Sequence, residues 1–178
     1  KVLGLTATPF RLHKDELKFI TRTMPKLFGC VVHCIQVNEI TSQGYWSKLL
    51  YKPVRFDDKM LKLNSSGTDY TEESVKKAYL ANDMQGTIVH AVNTMLSPGA
   101  GFIPRKSILV FVPTVEEAHQ VAGKIDGAVV VWGLMSKDAR DRCIDDFKDG
   151  KINVVVNVNV LSVGFDHPGV DGIIVARP

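Results

Sequence analysis

Apolar and polar positions alternate along the second half of this chain in a regular way. Short β-branched runs at 107–112, 128–132, 153–156 and 172–175 are separated by stretches at 114–124 and 136–147 whose apolar residues recur every three or four positions. Strands that short and that uniformly apolar are buried on both faces, and their alternation with amphipathic helices predicts a parallel sheet covered on both sides. Right-handed crossovers then bring the loops that follow the strands to one edge, where such sheets bind ligands.

The first half is less regular. The apolar run 2–5 ends at Thr6-Ala7-Thr8-Pro9, where the proline disfavours helix at Thr8, so a buried strand and a loop are expected. A helix over 15–23, a strand over 30–37, a short helix over 38–43 and a strand over 48–56 follow. From 57 to 70 the chain turns polar, and Asn64-Ser65-Ser66-Gly67 fits neither period. Thr71 opens a helix with Glu72 and Glu73 in its first turn, and 86–96 has helical spacing ended by Ser97-Pro98-Gly99. The expected organisation is the C-terminal part of one α/β unit over 1–56, a connection over 57–70 and a second α/β unit over 71–178. No solenoid-length repeat or low-complexity tract interrupts it.

Composition narrows the function classes. The chain has 178 residues, 45% hydrophobic and 23% charged, which is ordinary globular composition. Its formal charge of +3 is far from the single-sign field of a histone-like or membrane-surface protein, so any nucleic-acid contact is local. Three cysteines without a secretory signal argue against a disulfide framework and for a reducing, cytoplasmic setting. No apolar stretch reaches the roughly 20 residues of a membrane span. A first residue Lys1 rather than Met, and an end just after an apolar run, read as a piece of a larger protein.

Three segments at strand ends carry the chemistry. They are Gly4-Leu5-Thr6-Ala7-Thr8-Pro9-Phe10-Arg11, Ile108-Leu109-Val110-Phe111-Val112-Pro113-Thr114, and Asn157-Val158-Asn159-Val160-Leu161-Ser162-Val163-Gly164-Phe165-Asp166-His167-Pro168. In order and spacing they resemble motifs III, IV and V of superfamily-two helicases and translocases. The likeness extends across the DEAD/DEAH-like families and is strongest toward the branch with RadD-like helicases and restriction-enzyme motor subunits. The stretch 136–150, with its serine, charged cluster, Arg140, Phe147 and Gly150, is similar to the family's helix before motif V.

That resemblance implies a second RecA-like lobe, preceded by the C-terminal part of a first. It implies that Thr6 and Thr8 couple nucleotide state to lobe closure, with Arg11 nearby; a plain strand-ending turn is the alternative. Gly164 permits a backbone shape other residues resist, and Ser162 offers a hydroxyl to a phosphate oxygen. By resemblance Asp166 accepts from the nucleotide ribose, where a turn-capping aspartate is the alternative. Val112 and Thr114 lie where a nucleic-acid phosphate would bind, although N-capping explains Thr114 nearly as well. Trp132 stands where the family often has a polar residue before its glycine; stacking on a base and burial at a strand end are both open. Arg140 is expected to pair with Asp138 or Asp141. Cys30, His33 and Cys34 do not make a metal site, since in a strand His33 points away from the two cysteines.

No Gly-x-x-x-x-Gly-Lys-[Ser/Thr] occurs, so the loop that cradles a triphosphate is not in these residues. The resemblance therefore implies a parent that uses ATP and Mg²⁺ held mainly by other sequence and that moves along nucleic acid, DNA favoured over RNA, without reading its sequence. The alternative is a catalytically inactive helicase-like module that binds nucleic acid or protein. A metabolic nucleotide-binding enzyme would need a glycine-rich fingerprint after its first strand, and none is present.

Overall fold

The computed structural model describes residues 3–6, 8–13, 16–161 and 165–177. They form two compact units, 1–53 and 54–178.

In the second unit the valine- and isoleucine-rich runs become β3 (Ile108–Phe111), β4 (Val129–Trp132), β5 (Val154–Val158) and β6 (Gly172–Val175). They pair in parallel in the order β4-β5-β3-β6. Because side chains alternate across a strand, Ile108 and Val110 face one layer and Leu109 the other. The first layer receives α2 (Glu72–Ala81), α3 (Met84–Leu96) and α4 (Val115–Ala122), whose Val75, Ile88, Val92, Ala118 and Val121 share a buried cluster with Val110, Val154 and Val156. The second receives α5 (Lys137–Lys148), whose Phe147 packs with Leu109, Val131 and Val155. Each such apolar side chain stabilises the fold by about 1.5–3 kcal/mol when removed from water. This is the α/β sheet with helices on both faces that the periodicity predicts.

The helix starts follow side-chain chemistry. Thr71, Thr114 and Ser136 each accept from the backbone N–H three residues on, satisfying a donor that the helix itself cannot. Residues 57–70 belong to the second unit. Leu63 bridges Tyr70, the Lys62 N–H donates to Ser74 Oγ, and the Asp57 N–H donates to Asn82 Oδ1 at 2.7 Å.

The first unit departs from expectation. Over 15–23, where a helix was expected, the described residues form β2 (Glu16–Phe19) and a single 3₁₀ turn (Ile20–Arg22). β2 pairs antiparallel with β1 (Phe10–His13), and Phe10 and Phe19 meet edge to face at 6.5 Å. The runs 30–37 and 48–56 form no strand. A strand needs a neighbour to take its N–H and C=O groups, and none of the described residues in 1–53 pairs with them. Apart from Phe56, which is half-buried against the core of the second unit, their apolar side chains stay exposed, Leu50 at 83%. Leu3 and Leu5 are likewise exposed and outside any strand, so the buried strand expected at 2–5 is not seen among the described residues. The short helix expected over 38–43 is present as α1 (Val37–Ser42).

Candidate nucleic-acid interface

The parallel register aligns the C-terminal ends of β3, β5 and β6. Phe111 stands beside Asn157 on one side and Val175 on the other, so Thr114, Asn159 and Arg177 emerge at one edge. There they border a cleft of about 520 Å³ that also includes Asp69, Glu72 and Lys76. Its electrostatics are mixed. Lys76 Nζ lies 3.1 Å from Glu116 and 3.7 Å from Glu72, and Arg177 lies 3.9 Å from Asp69 and donates to Asn159 Oδ1. The hydrogen bond from Lys76 to Glu116 raises the lysine pKa, keeping it cationic. Exposed pairs of this kind are weak, so a phosphate can take either cation at little cost.

Thr114 caps α4. Its Oγ1 accepts from the Glu117 N–H at 3.3 Å and donates to Glu117 Oε2 at 2.8 Å. Burial pushes the Glu117 carboxyl up, against the lowering effect of its bonds to Thr114. The hydroxyl expected to reach a phosphate is thus engaged by the fold. Val112 requires a correction: it is 1% exposed, its side chain belongs to the core and its N–H donates to Asn157 O. Even alternation along β3 turns it inward with Ile108 and Val110, so its side chain offers a ligand nothing.

In the last motif, Ser162 and Gly164 lie outside the described residues. Asp166 is exposed, with no hydrogen bond to its carboxylate among the described residues, which suits an acceptor for a ribose hydroxyl. Its neighbours anchor it: Phe165 lies 6.5 Å from Phe147 with Lys148 Nζ 5.8 Å from its ring, and His167 meets Phe147 edge to face at 5.6 Å. Among the described residues no group of three or more His, Cys, Asp or Glu could hold a metal ion.

In the first unit Thr6 and Thr8 are exposed, and the Thr8 N–H donates to Thr6 Oγ1 at 3.1 Å, a local turn. The side chain of Arg11 lies outside the described residues. Cys30, His33 and Cys34 are exposed on irregular backbone, so the strand geometry invoked for them does not hold. Trp132 is half-buried, edge to face with His119 at 5.2 Å, beside a shallow groove. Arg140 forms no ion pair among the described residues; the contact to Asp138 comes from Arg142, which donates to its carbonyl. Sequence reasoning missed Arg177, Asn159 and Lys76, which only the sheet register and the packing of α2 bring together. Asn157 within the valine run of β5 and Asn159 just after it are the visible signal.

Residues 93–178 match the helicase conserved C-terminal domain. The chain is 33% identical over 85 residues to the ATP-dependent RNA helicase DBP5 of Kluyveromyces lactis, covering 46% of this chain and 18% of that protein. It is 27% identical over 176 residues to a 51.5 kDa protein of a Lactococcus phage, covering 99% of this chain and 36% of the phage protein. It therefore spans well under half the length of these relatives. Among solved structures, Saccharomyces cerevisiae Dbp5 bound to RNA and ADP BeF3 aligns with TM-score 0.42 and 27% identity over 52% of this chain and 22% of that one. The Pyrococcus furiosus Hef helicase domain aligns with TM-score 0.44 and 24% identity over 60% and 25%. The similarity to helicases thus rests on residues 93–178, which match the helicase conserved C-terminal domain.

Proposed function

We propose that this chain supplies the nucleic-acid-facing and ribose-facing edge of an ATP-dependent helicase or translocase. The observation that carries the reading is the alignment of β3, β5 and β6, which gathers Thr114, Asn159 and Arg177 at one sheet edge inside a helicase C-terminal domain. Arg177, Lys76 and the amides opening α4 meet backbone phosphates, and Asp166 accepts from the ribose of ATP. Ser162 and Gly164 complete that loop, and Thr6 and Thr8 serve as the coupling turn that relates nucleotide state to movement. ATP supplies the free energy for that movement; its phosphates and Mg²⁺ are held by other sequence, because the glycine-lysine loop is not among these residues. In this reading residues 57–70, bonded to α2 in the second unit, run on from the first lobe, and the odd number of cysteines supports a cytoplasmic setting. The expected leaning toward DNA gains no support from relatives named as RNA helicases, so the reading commits to single-stranded nucleic acid bound through its backbone.

The test is fluorescence anisotropy with oligo(dT) and oligo(U) across a salt series. Binding should be independent of base sequence and should weaken with salt along a slope of about one or two phosphate contacts. Arg177→Ala should lower affinity and flatten the slope. A chain that binds neither oligonucleotide at low salt, or binds one without salt dependence, overturns the proposal.

A further inference from the structure

Asn157 is the single polar residue of β5 and is wholly buried in a run that is otherwise valine. Burying an amide costs free energy unless it is bonded, and a valine there would continue the packing on α5. Its Oδ1 accepts from the Val160 N–H at 3.1 Å and the Leu161 N–H at 2.9 Å. Its Nδ2 has no partner among the described residues. The turn closed by those two bonds holds Asn159 at φ 57°, a left-handed conformation that asparagine tolerates better than most residues, and seats Leu161 in the core beneath α5. Asn159 is thereby presented at the sheet edge to Arg177.

We infer that Asn157 is a positioning residue of the nucleic-acid interface, its buried side-chain carbonyl setting the turn that leaves β5 and so placing Asn159 and Arg177. The inference rests on the nucleic-acid reading proposed above. A space-filling role makes the opposite demand, because exchanging a buried polar group for an apolar one of similar shape is often neutral when nothing depends on it. With the carbonyl gone, two N–H groups at the start of the loop lose their acceptor.

The experiment compares Asn157→Leu, which keeps volume and loses the acceptor, with Asn157→Asp, which keeps the acceptor. Amide exchange at Val160 and Leu161 is measured against Val155 and Val156 as internal reference, alongside oligo(dT) and oligo(U) affinity. Asn157→Leu should speed exchange at Val160 and Leu161 by about tenfold, the loss of one hydrogen bond, while the strand amides hold, and oligonucleotide affinity should fall. Asn157→Asp, assayed at a pH low enough to keep the buried carboxyl protonated, should preserve both. Should the leucine not pack, Asn157→Ala carries the same comparison. Unchanged exchange at Val160 and Leu161, acceleration spread equally over β5, or Asn157→Asp as impaired as Asn157→Leu overturns the inference. If the wild-type chain binds neither oligonucleotide, the functional reading and the interface half of this inference fall together, while the exchange pattern still decides whether Asn157 sets the turn.

Discussion

At Thr114 a single hydroxyl closes a helix in the place where a phosphate was expected. Thr114→Ala removes the cap of α4 and should cost about 1 kcal/mol in urea unfolding; a change near zero would mean that Glu117 alone secures the helix start. Glu117 adds a pH dependence. Burial raises its carboxyl, so the folded protein holds that proton more tightly than the unfolded chain does. The stability this contributes is complete below the unfolded carboxylate pKa and is lost as pH rises through the raised folded value. Glu117→Gln removes the titration while keeping an oxygen for Thr114, so its stability relative to wild type should improve as pH rises from below the unfolded carboxylate pKa to above the raised folded one. Urea midpoints at both ends of that range check this, and an equal gap at both would contradict it. The proposal for Asp166 comes from its motif, a local signal, whereas no spacing in the chain relates Lys76 to Arg177.

Helices of the second unit follow their local code closely, and α3 shows where that code conflicts with itself. Asp83, at φ 43°, caps α3 by accepting from the Gly86 N–H, and a Cβ on Gly86 would come within 2.4 Å of the Asp83 carboxylate. Helix propensity promises about 1 kcal/mol for Gly86→Ala. Displacing the cap forfeits about the same amount, so the expected change in thermal unfolding is close to zero. A clear gain would show that the aspartate rotates away freely. In the first unit the runs 30–37 and 48–56 have strand-like composition, yet composition only makes a strand available. Pairing forms it, and β1 and β2 find each other because they adjoin, with Phe10 opposite Phe19.

For the whole chain, the division at Pro53 and Val54 implies that 54–178 carries its own core. A chain beginning at Val54 should therefore keep a cooperative urea transition with an unchanged midpoint, and its loss would show that 1–53 is needed for folding. The complete 178-residue chain should release no phosphate from ATP with or without single-stranded nucleic acid, since it has no loop to hold the triphosphate. Stimulated turnover would refute that. The sequence by itself determined the alternation of strands and helices from 71 onward and the helix caps. These depend on periodicity and on contacts within a few residues. Tertiary structure alone decided the order β4-β5-β3-β6, the burial of Val112, the meeting of Lys76 and Arg177 with Asn159, and the fate of the strand-like runs before residue 57. Those depend on which distant segments lie side by side, and a strand or a cleft exists only once its partners have been brought to it.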